Sequence, residues 1–205
     1  MGIVVLEGAN CIGKSTTCKY LENAGFQYIH FPSSSTDLKK GNISKWIASQ
    51  REYDPTWGDM FRNESTDSIY RHGYAKLDIL TNLKAIIKVS KVKDVVIDRM
   101  SLSNSLYNNG SDKMQFTDMI YRILIENNVD FKTIVMYTNN PAVLKKRLMA
   151  RDKDCEYTKK NIEFINKTNT YINTMYKSLP ERSYIEKVCV DDLEPYEVYM
   201  TIMLL

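Results

Sequence analysis

The sequence predicts a three-layer α/β fold in which a five-stranded parallel sheet lies between helices. Short apolar runs rich in β-branched residues alternate along the chain with longer stretches of helical spacing, a pattern typical of strands joined by crossover helices. The runs are apolar on both faces, as strands covered by helices on both sides should be. The chain has 205 residues, enough for one domain with a substantial core and short for two. We therefore expect a single domain over residues 1–205.

Five runs are predicted to form the strands. They are bounded by polar, Gly or Pro residues, and they are IVVLE (3–7), YIHF (28–31), DVVID (94–98), TIVMYT (133–138) and KVCV (187–190). Helical spacing is found between them, roughly at 14–24, 36–50, 57–92, 114–128, 140–152, 157–178 and 194–204. His30 stands inside an apolar run and is therefore expected to be a core histidine.

The first strand is followed by GANCIGKS (8–15), which matches the P-loop motif G-x-x-x-x-G-K-[ST] without a mismatch. In this motif backbone N–H groups converge on phosphate oxygens, and the N-terminus of the next helix adds a partial positive charge. Lys14 is predicted to bridge the β- and γ-phosphates of ATP, and Ser15 to ligate Mg²⁺. The alternative is a simple glycine turn between strand and helix. The predicted ATP-binding residues are Gly8, Asn10, Cys11, Ile12, Gly13, Lys14, Ser15 and Thr16.

The remaining sequence favours a small phosphotransferase over other P-loop proteins. A regulatory GTPase would carry a base-recognising N-K-x-D element after a later strand, and YTNNP (137–141) lacks the Lys and the Asp. A helicase or motor would normally need a longer chain.

Asp98 and Arg99 stand at the carboxyl end of the third predicted strand, where the ligand-binding groups of an open α/β sheet collect. The carboxylate can hold Mg²⁺ or orient an acceptor, and the guanidinium can clamp an acceptor phosphate. The alternative is a structural ion pair at a strand end.

Arg147 and Arg151 lie four residues apart in LKKRLMARDKDCEY (144–157) and would share one face of a helix. Two guanidinium groups on a mobile segment could close over a triphosphate and neutralise transition-state charge. The alternative is a solvated basic helix.

Two further segments could contact an acceptor. FPSSST (31–36) carries hydroxyls that could touch an acceptor or cap the following helix. IYRHGYAKLDIL (69–80) could stack on a nucleobase, but Tyr70, Tyr74 and Leu77 also fit one core-facing stripe.

Composition narrows the class of protein further. The net charge is +3, from 28 basic and 25 acidic residues, which argues against a dedicated duplex-DNA binder. The four cysteines form no C-x-x-C pair, there is no secretory leader pattern, and no apolar run approaches the ~18 residues of a membrane span. We therefore expect a cytoplasmic protein that binds small-molecule nucleotides, without nucleic-acid or membrane partners.

Taken together, these segments resemble the thymidylate kinase family of P-loop kinases, which transfer the γ-phosphate of ATP to dTMP. IVVLEGANCIGKST resembles the family's first strand and P-loop, FPSSST its F-P-x-R-S-T segment, and DRMSLSNSLYNNG its D-R-[YH]-x-x-S-x-x-A-Y stretch, with Ser103 and Tyr107 in register. RLMARDKDCEY resembles its lid, TYINTMY the helix after the lid, and VCVDDLEP the loop that closes over adenine. The resemblance implies a three-layer P-loop kinase fold with a helical lid at about residues 147–157.

The resemblance also implies roles for individual residues. Lys14 and Ser15 would hold ATP and Mg²⁺, with Asp98 near the metal. Arg99 would contact the acceptor phosphate, and Tyr107 would pack on the sugar and favour deoxynucleotides. Because the middle of the P-loop supplies no basic residue, the lid must supply the catalytic charge. The implied catalytic residues are thus Lys14, Arg99, Arg147 and Arg151.

The departures from the family pattern all fall on the acceptor side. Asn10 stands where an acidic residue usually engages the 3′-hydroxyl of the acceptor, and Ser34 replaces the Arg that grips its phosphate. His72 and Lys76 stand where a stacking Phe and a base-recognising Arg are usual. These changes suggest an acceptor other than ordinary dTMP, and the implied acceptor-binding residues are Asn10, Phe31, Ser34, His72, Lys76, Arg99, Ser103 and Tyr107.

The expected function is ATP-dependent phosphorylation of a deoxynucleoside monophosphate, dTMP or a related one, to the diphosphate. The alternatives are a deoxynucleoside kinase acting on the 5′-hydroxyl and a non-catalytic nucleotide-binding module. Family members are commonly dimers, so a homodimer is a further possibility, and the small, divergent sequence would suit a phage or viral enzyme.

Overall fold

The fold was analysed in a computed structural model that describes residues 2–31, 67–107, 114–151, 153 and 156–205. For residues 67–72, 74, 107 and 156–158 it describes the backbone alone. The predicted helix at 36–50 and the first part of the one at 57–92 lie outside these residues, as does Ser34.

The five predicted strands are present and form one parallel sheet. They are β1 (Ile3–Gly8), β2 (Gln27–His30), β3 (Val95–Asp98), β4 (Phe131–Tyr137) and β5 (Ile185–Cys189), in the spatial order β2-β3-β1-β4-β5. In the centre, β1 pairs with β3 from Ile3 opposite Val95 and with β4 from Ile3 opposite Phe131. All six residues of β1 and all four of β3 are buried, which agrees with strands covered on both faces. The predicted fold class is confirmed.

Helices follow the strands much as the periodicity predicts. Within the described parts of the chain they are α1 (Lys14–Asn23), α2 (Asp67–Ser90), α3 (Ser101–Tyr107), α4 (Gln115–Glu126), α5 (Ala142–Arg151), α6 (Glu156–Lys177) and α7 (Pro195–Leu204). The sequence analysis missed α3, because two turns are too short to display a helical period. α6 contains a kink at Asn161, where the backbone leaves helical φ and ψ.

Two groups of helices flank the sheet. α1 packs on β1, β2 and β3 and against α7, whereas α3 contacts β1, α2, α4 and α6. The helix α6 also packs on β1 and β4. Both groups leave the carboxyl ends of β1 and β3 accessible at one edge of the sheet, where the candidate site lies. None of the helices that the structure describes is both long enough and apolar enough to cross a membrane.

Candidate functional site: a phosphate cradle at the sheet edge

The P-loop connects β1 to α1 through backbone conformations that favour glycine. Gly8 has φ 151° and Gly13 has φ 117°, values that L side chains rarely adopt. A Cβ at position 8 would also lie 2.6 Å from the carbonyl oxygen of Met136 on β4. Cys11, in the middle of the loop, has a left-handed φ of 63°. The motif therefore builds a tightly folded loop, with Gly13 directly before the first residue of α1.

The Lys14 amine is folded back onto the loop. Its Nζ donates hydrogen bonds to the carbonyl oxygens of Gly8 (2.9 Å) and Ala9 (2.8 Å), and the residue is only 5% exposed. The pKa of Lys14 is lowered to about 7, first by burial and second by the neighbouring Arg99 guanidinium, whereas Asp98 and Glu7 act in the opposite direction. The two carbonyl groups are neutral, so an anionic oxygen entering the loop would supply the negative charge that stabilises the Lys14 ammonium.

Ser15 and Asp98 meet across the cavity. The Ser15 hydroxyl donates to Asp98 Oδ2 at 2.6 Å, although the two residues are 83 positions apart. Asp98 is 1% exposed, and no group in the described part of the chain donates a hydrogen bond to its Oδ1. Burial and the nearby Asp98 carboxylate raise the pKa of Tyr28 on β2. The site therefore combines a hydroxyl with a buried, incompletely satisfied carboxylate.

This pair of oxygen ligands fits Mg²⁺. Mg²⁺ keeps several waters and is usually held by one or two protein oxygens together with substrate phosphates. Among the described residues, no cluster of three or more His, Cys, Asp and Glu side chains could hold a metal ion by itself. When bound, the ion would neutralise phosphate charge, and Ser15 and Asp98 are the residues that would hold it.

Arg99 leaves the end of β3 and reaches back to the P-loop. Its Nη2 donates to Asn10 Oδ1 at 2.5 Å, so its nearest partner in the loop is a neutral amide. The residue has a left-handed φ of 68°, uncommon for a residue with a Cβ. The guanidinium thus lies directly beside the P-loop.

The two predicted lid arginines are at the end of α5. Arg147 Nη1 donates to the carbonyl oxygen of Ile12 at 3.3 Å, which brings this helix onto the P-loop from 135 residues away. Arg151, the last residue of α5, is exposed and lines the same cavity. The lid itself, predicted at about residues 147–157, lies partly outside the described residues.

A cavity of about 490 Å³ brings most of the predicted donor residues together, a volume in the range of ligand sites. The P-loop and the start of α1 contribute Asn10, Cys11, Gly13, Lys14, Ser15 and Thr16. The remaining predicted members of its lining are Asp98, Arg99, Arg147 and Arg151. Gly8 and Ile12 do not line it, but their carbonyl oxygens hold Lys14 and Arg147.

Three residues that were not named individually as site residues also line this cavity: His30, and Glu194 and Pro195 at the end of the VCVDDLEP segment that resembles the adenine loop. His30 is half-buried rather than a core residue, because β2 ends there, opposite Asp98 of β3. Glu194 and Pro195 come from the start of α7, 180 residues from the P-loop in sequence. Among the described lining residues four are basic, three of them arginines, and two are acidic. The positive excess suits a polyanion.

Of the predicted acceptor residues, the structure brings Asn10 and Arg99 together in the cavity and describes the side chains of Phe31, Ser103 and Lys76 elsewhere. Phe31 is 4% exposed in the core, and the Ser103 hydroxyl donates to the Glu7 carboxylate. Lys76 Nζ lies 5.3 Å from the centre of the Phe116 ring. The side chains of His72 and Tyr107 are not described, and Ser34 lies outside the described residues. The acceptor set therefore remains a prediction.

Asp191, in the segment after β5, stabilises the turn that follows β4. Its carboxylate accepts a hydrogen bond from the Thr138 hydroxyl. The backbone N–H of Asn139 donates to both carboxylate oxygens, at 3.1 Å to Oδ1 and 3.0 Å to Oδ2. These bonds, above all that from Thr138, lower the pKa of Asp191 to about 2. The segment resembles the family's adenine loop, and it is anchored next to the β4 end of the sheet.

The sheet order and the P-loop after the central strand define the fold of the P-loop nucleoside monophosphate kinases. Solved thymidylate kinases are similar to the chain over nearly its full length. The Candida albicans enzyme aligns at 14% identity and a TM-score of 0.63, covering 99% of this chain and 89% of its own. The Ehrlichia chaffeensis enzyme aligns at 16% identity and a TM-score of 0.55, covering 98% and 96%. No protein-family model and no curated protein sequence matches the chain. The resemblance to thymidylate kinases is thus confirmed in the fold.

Proposed function

We propose that the chain is an ATP-dependent kinase that phosphorylates a deoxynucleoside monophosphate, dTMP or a related one, to the diphosphate. One observation carries the proposal: a single cavity joins a phosphate cradle, a metal-binding pair of oxygens and three arginines. Phosphoryl transfer needs little else, because its catalysis consists mainly of positioning and of neutralising charge.

The donor half of the reaction rests on Lys14, Ser15 and Asp98. Lys14 would exchange its two carbonyl partners for oxygens of the β- and γ-phosphates of ATP. Ser15 and Asp98 would hold Mg²⁺, since a hydroxyl and a buried carboxylate oxygen face the same cavity. The α1 N-terminus adds amide donors that have no partner inside the helix.

The acceptor half rests on Arg99. Its guanidinium donates a hydrogen bond to Asn10 of the P-loop and lines the cavity, and a planar guanidinium suits two oxygens of one phosphate. This favours an acceptor that already carries a phosphate over a nucleoside. Arg147 and Arg151 would supply the charge that stabilises the transferring phosphoryl group, since Arg147 already reaches over the P-loop.

A coupled assay of ADP formation against a panel of nucleosides and nucleoside monophosphates tests the proposal. We expect Mg²⁺-dependent turnover with at least one deoxynucleoside monophosphate. A panel is needed because the acceptor-side residues depart from the family pattern, and because the Candida albicans enzyme is itself described as having broad substrate specificity. Turnover with nucleosides alone would indicate a deoxynucleoside kinase, and no turnover with any acceptor would indicate a non-catalytic module; either result contradicts the proposal.

A further inference from the structure

Glu7 is a fully buried carboxylate directly before the P-loop. It is the fifth of the six residues of β1 and has no exposed surface. Taking a carboxylate out of water costs several kcal/mol unless hydrogen bonds compensate. Here its two oxygens accept hydrogen bonds from four groups of the described chain: the backbone N–H of Met100, the backbone N–H and the hydroxyl of Ser103, and the hydroxyl of Tyr176.

One carboxylate oxygen holds the start of α3. Glu7 Oε1 accepts from the backbone N–H of Met100 at 2.9 Å and of Ser103 at 3.2 Å. The first amides of a helix have no partner within it. They are usually satisfied by an N-cap side chain of the same segment, whereas here a residue 93 positions earlier in the chain satisfies them. The beginning of α3 is therefore tied to the end of β1.

Arg99 lies at the centre of this connection. The backbone N–H of Arg99 donates to the carbonyl oxygen of Leu6 at 3.0 Å. The backbone N–H of the next residue, Met100, donates to the side-chain carboxylate of Glu7, which follows Leu6 in β1. Two consecutive residues of β1 thus hold two consecutive residues after β3. The left-handed φ of 68° at Arg99 is an unfavourable backbone conformation for a residue with a Cβ. These two bonds maintain it and direct the guanidinium to Asn10.

The other oxygen extends the connection to α6. Glu7 Oε2 accepts from the Tyr176 hydroxyl at 2.9 Å and from the Ser103 hydroxyl, and the two hydroxyls lie 2.8 Å apart. Tyr176 is fully buried near the end of α6, the helix that follows the predicted lid. A single carboxylate therefore joins the P-loop strand, the helix after Arg99 and the helix after the lid.

We propose that Glu7 is a positioning residue: its carboxylate fixes the backbone at Arg99, so that the guanidinium faces the acceptor phosphate beside the P-loop. The inference rests on the proposed function, because it assigns to Glu7 a contribution to acceptor binding that acts through Arg99. Glu7 itself lies behind the cradle and does not line the cavity.

The first test is Glu7→Gln, which keeps the shape of the side chain but replaces one acceptor oxygen with an NH₂ donor. With the monophosphate that the wild type uses best, we expect kcat/KM for the acceptor to fall by about 10- to 100-fold. The KM for ATP is expected to change by less than about threefold. A general loss of packing would instead impair the kinetic constants for both the acceptor and ATP.

The second test is a double-mutant cycle between Glu7→Gln and Arg99→Met. If Glu7 acts through Arg99, the double variant should be no worse than Arg99→Met within about threefold, because the positioned group is already absent. If the two losses multiply, the inference is overturned. If Arg99→Met alone leaves the acceptor kinetics unchanged, the role of Arg99 in the proposed function fails, and that outcome is distinct from a failure of the Glu7 assignment.

Tyr176→Phe keeps the inference testable if Glu7→Gln does not fold. It removes one of the four donors and retains the aromatic packing, and we expect acceptor kcat/KM to fall by about 3- to 10-fold. The matched control is Tyr121→Phe, which removes the hydroxyl of another buried tyrosine. That hydroxyl is hydrogen-bonded to the Thr133 hydroxyl at 2.8 Å, and Tyr121 does not line the cavity. The inference would be overturned if the two variants had equal acceptor kcat/KM, or if Tyr176→Phe had the acceptor kcat/KM of the wild type.

Discussion

If the chain binds ATP as proposed, the burial of Lys14 should make the ATP affinity depend on pH. Folding lowers the pKa of this amine from 10.5 to about 7, a difference of about 3.5 units, and each unit corresponds to about 1.4 kcal/mol. Keeping this ammonium charged in the folded chain therefore has a net cost on the order of 5 kcal/mol, because burial and the Arg99 guanidinium together outweigh the favourable effects of Asp98 and Glu7. Above about pH 7 the free protein should hold Lys14 mainly as the neutral amine.

The sign of the effect follows from proton linkage. Anionic phosphate oxygens beside Lys14 favour the ammonium form, so its pKa is higher in the complex than in the free protein. Between these two pKa values the complex binds a proton that the free protein lacks, and affinity falls as pH rises, by up to about tenfold per unit. Below about pH 7 both states carry the proton, and this dependence disappears.

Calorimetry with a non-hydrolysable ATP analogue and Mg²⁺ measures the effect. Between about pH 7.5 and pH 9, we expect affinity to fall by about tenfold per unit and binding to take up close to one proton, seen in buffers of different ionisation enthalpy. Lys14→Met should abolish the slope, and without its buried amine the ligand-free chain should be at least as stable as the wild type. Lys19→Met, at an exposed position of the same helix, should retain the slope. A constant wild-type affinity, or an equal slope in Lys14→Met, would refute the reasoning.

Three further predictions concern the other walls of the site and its support. Arg147→Ala or Arg151→Ala should lower kcat by about 10³-fold with little change in the thermal unfolding midpoint. The control Lys146→Ala, at an exposed position of the same helix, should leave kcat unchanged. Near-normal turnover in both arginine variants would exclude a catalytic role of these arginines. Ser15→Ala removes the hydrogen bond to Asp98 and a proposed Mg²⁺ ligand. In a magnesium titration, the concentration for half-maximal turnover should rise by about tenfold or more. An unchanged titration would contradict the assignment of Ser15 as a Mg²⁺ ligand. The pKa of Asp191 is lowered from 3.8 to about 2 on folding, so its stabilising effect is present above pH 4 and lost as pH falls through about 2. Asp191→Asn should therefore be less stable at pH 7 and lose less stability on acidification, followed by thermal unfolding; equal pH profiles would contradict this.

The donor side of the site was predictable because its information is local. The eight residues of GANCIGKS adopt their conformation through the constraints of one strand–loop–helix junction, and the φ values of Gly8 and Gly13 explain why glycine is needed there. Asp98 and Arg99 were also predictable, since the carboxyl ends of parallel strands meet at one edge of the sheet. Their partners, Ser15 and Asn10, belong to the same edge.

Other parts of the site depend on contacts that no local pattern records. His30 was expected in the core because its neighbours are apolar, but the strand ends at this residue and leaves it beside the cavity. Glu194 and Pro195 reach the cavity because α7 packs against α1. Glu7 reads in the sequence as one polar residue at a strand end, and its four donors come from segments 93 to 169 positions away.

By itself, the sequence determined the α/β class, the number of strands and the position of the P-loop, because alternating apolarity and a contiguous glycine motif act over a few residues at a time. The tertiary structure decided which charges share the cavity: it set Arg99 against the neutral Asn10, brought Arg147 onto the carbonyl oxygen of Ile12, and buried Lys14 deeply enough to lower its pKa. Hydrogen bonding and desolvation depend on distances between groups far apart in the chain, and packing sets those distances.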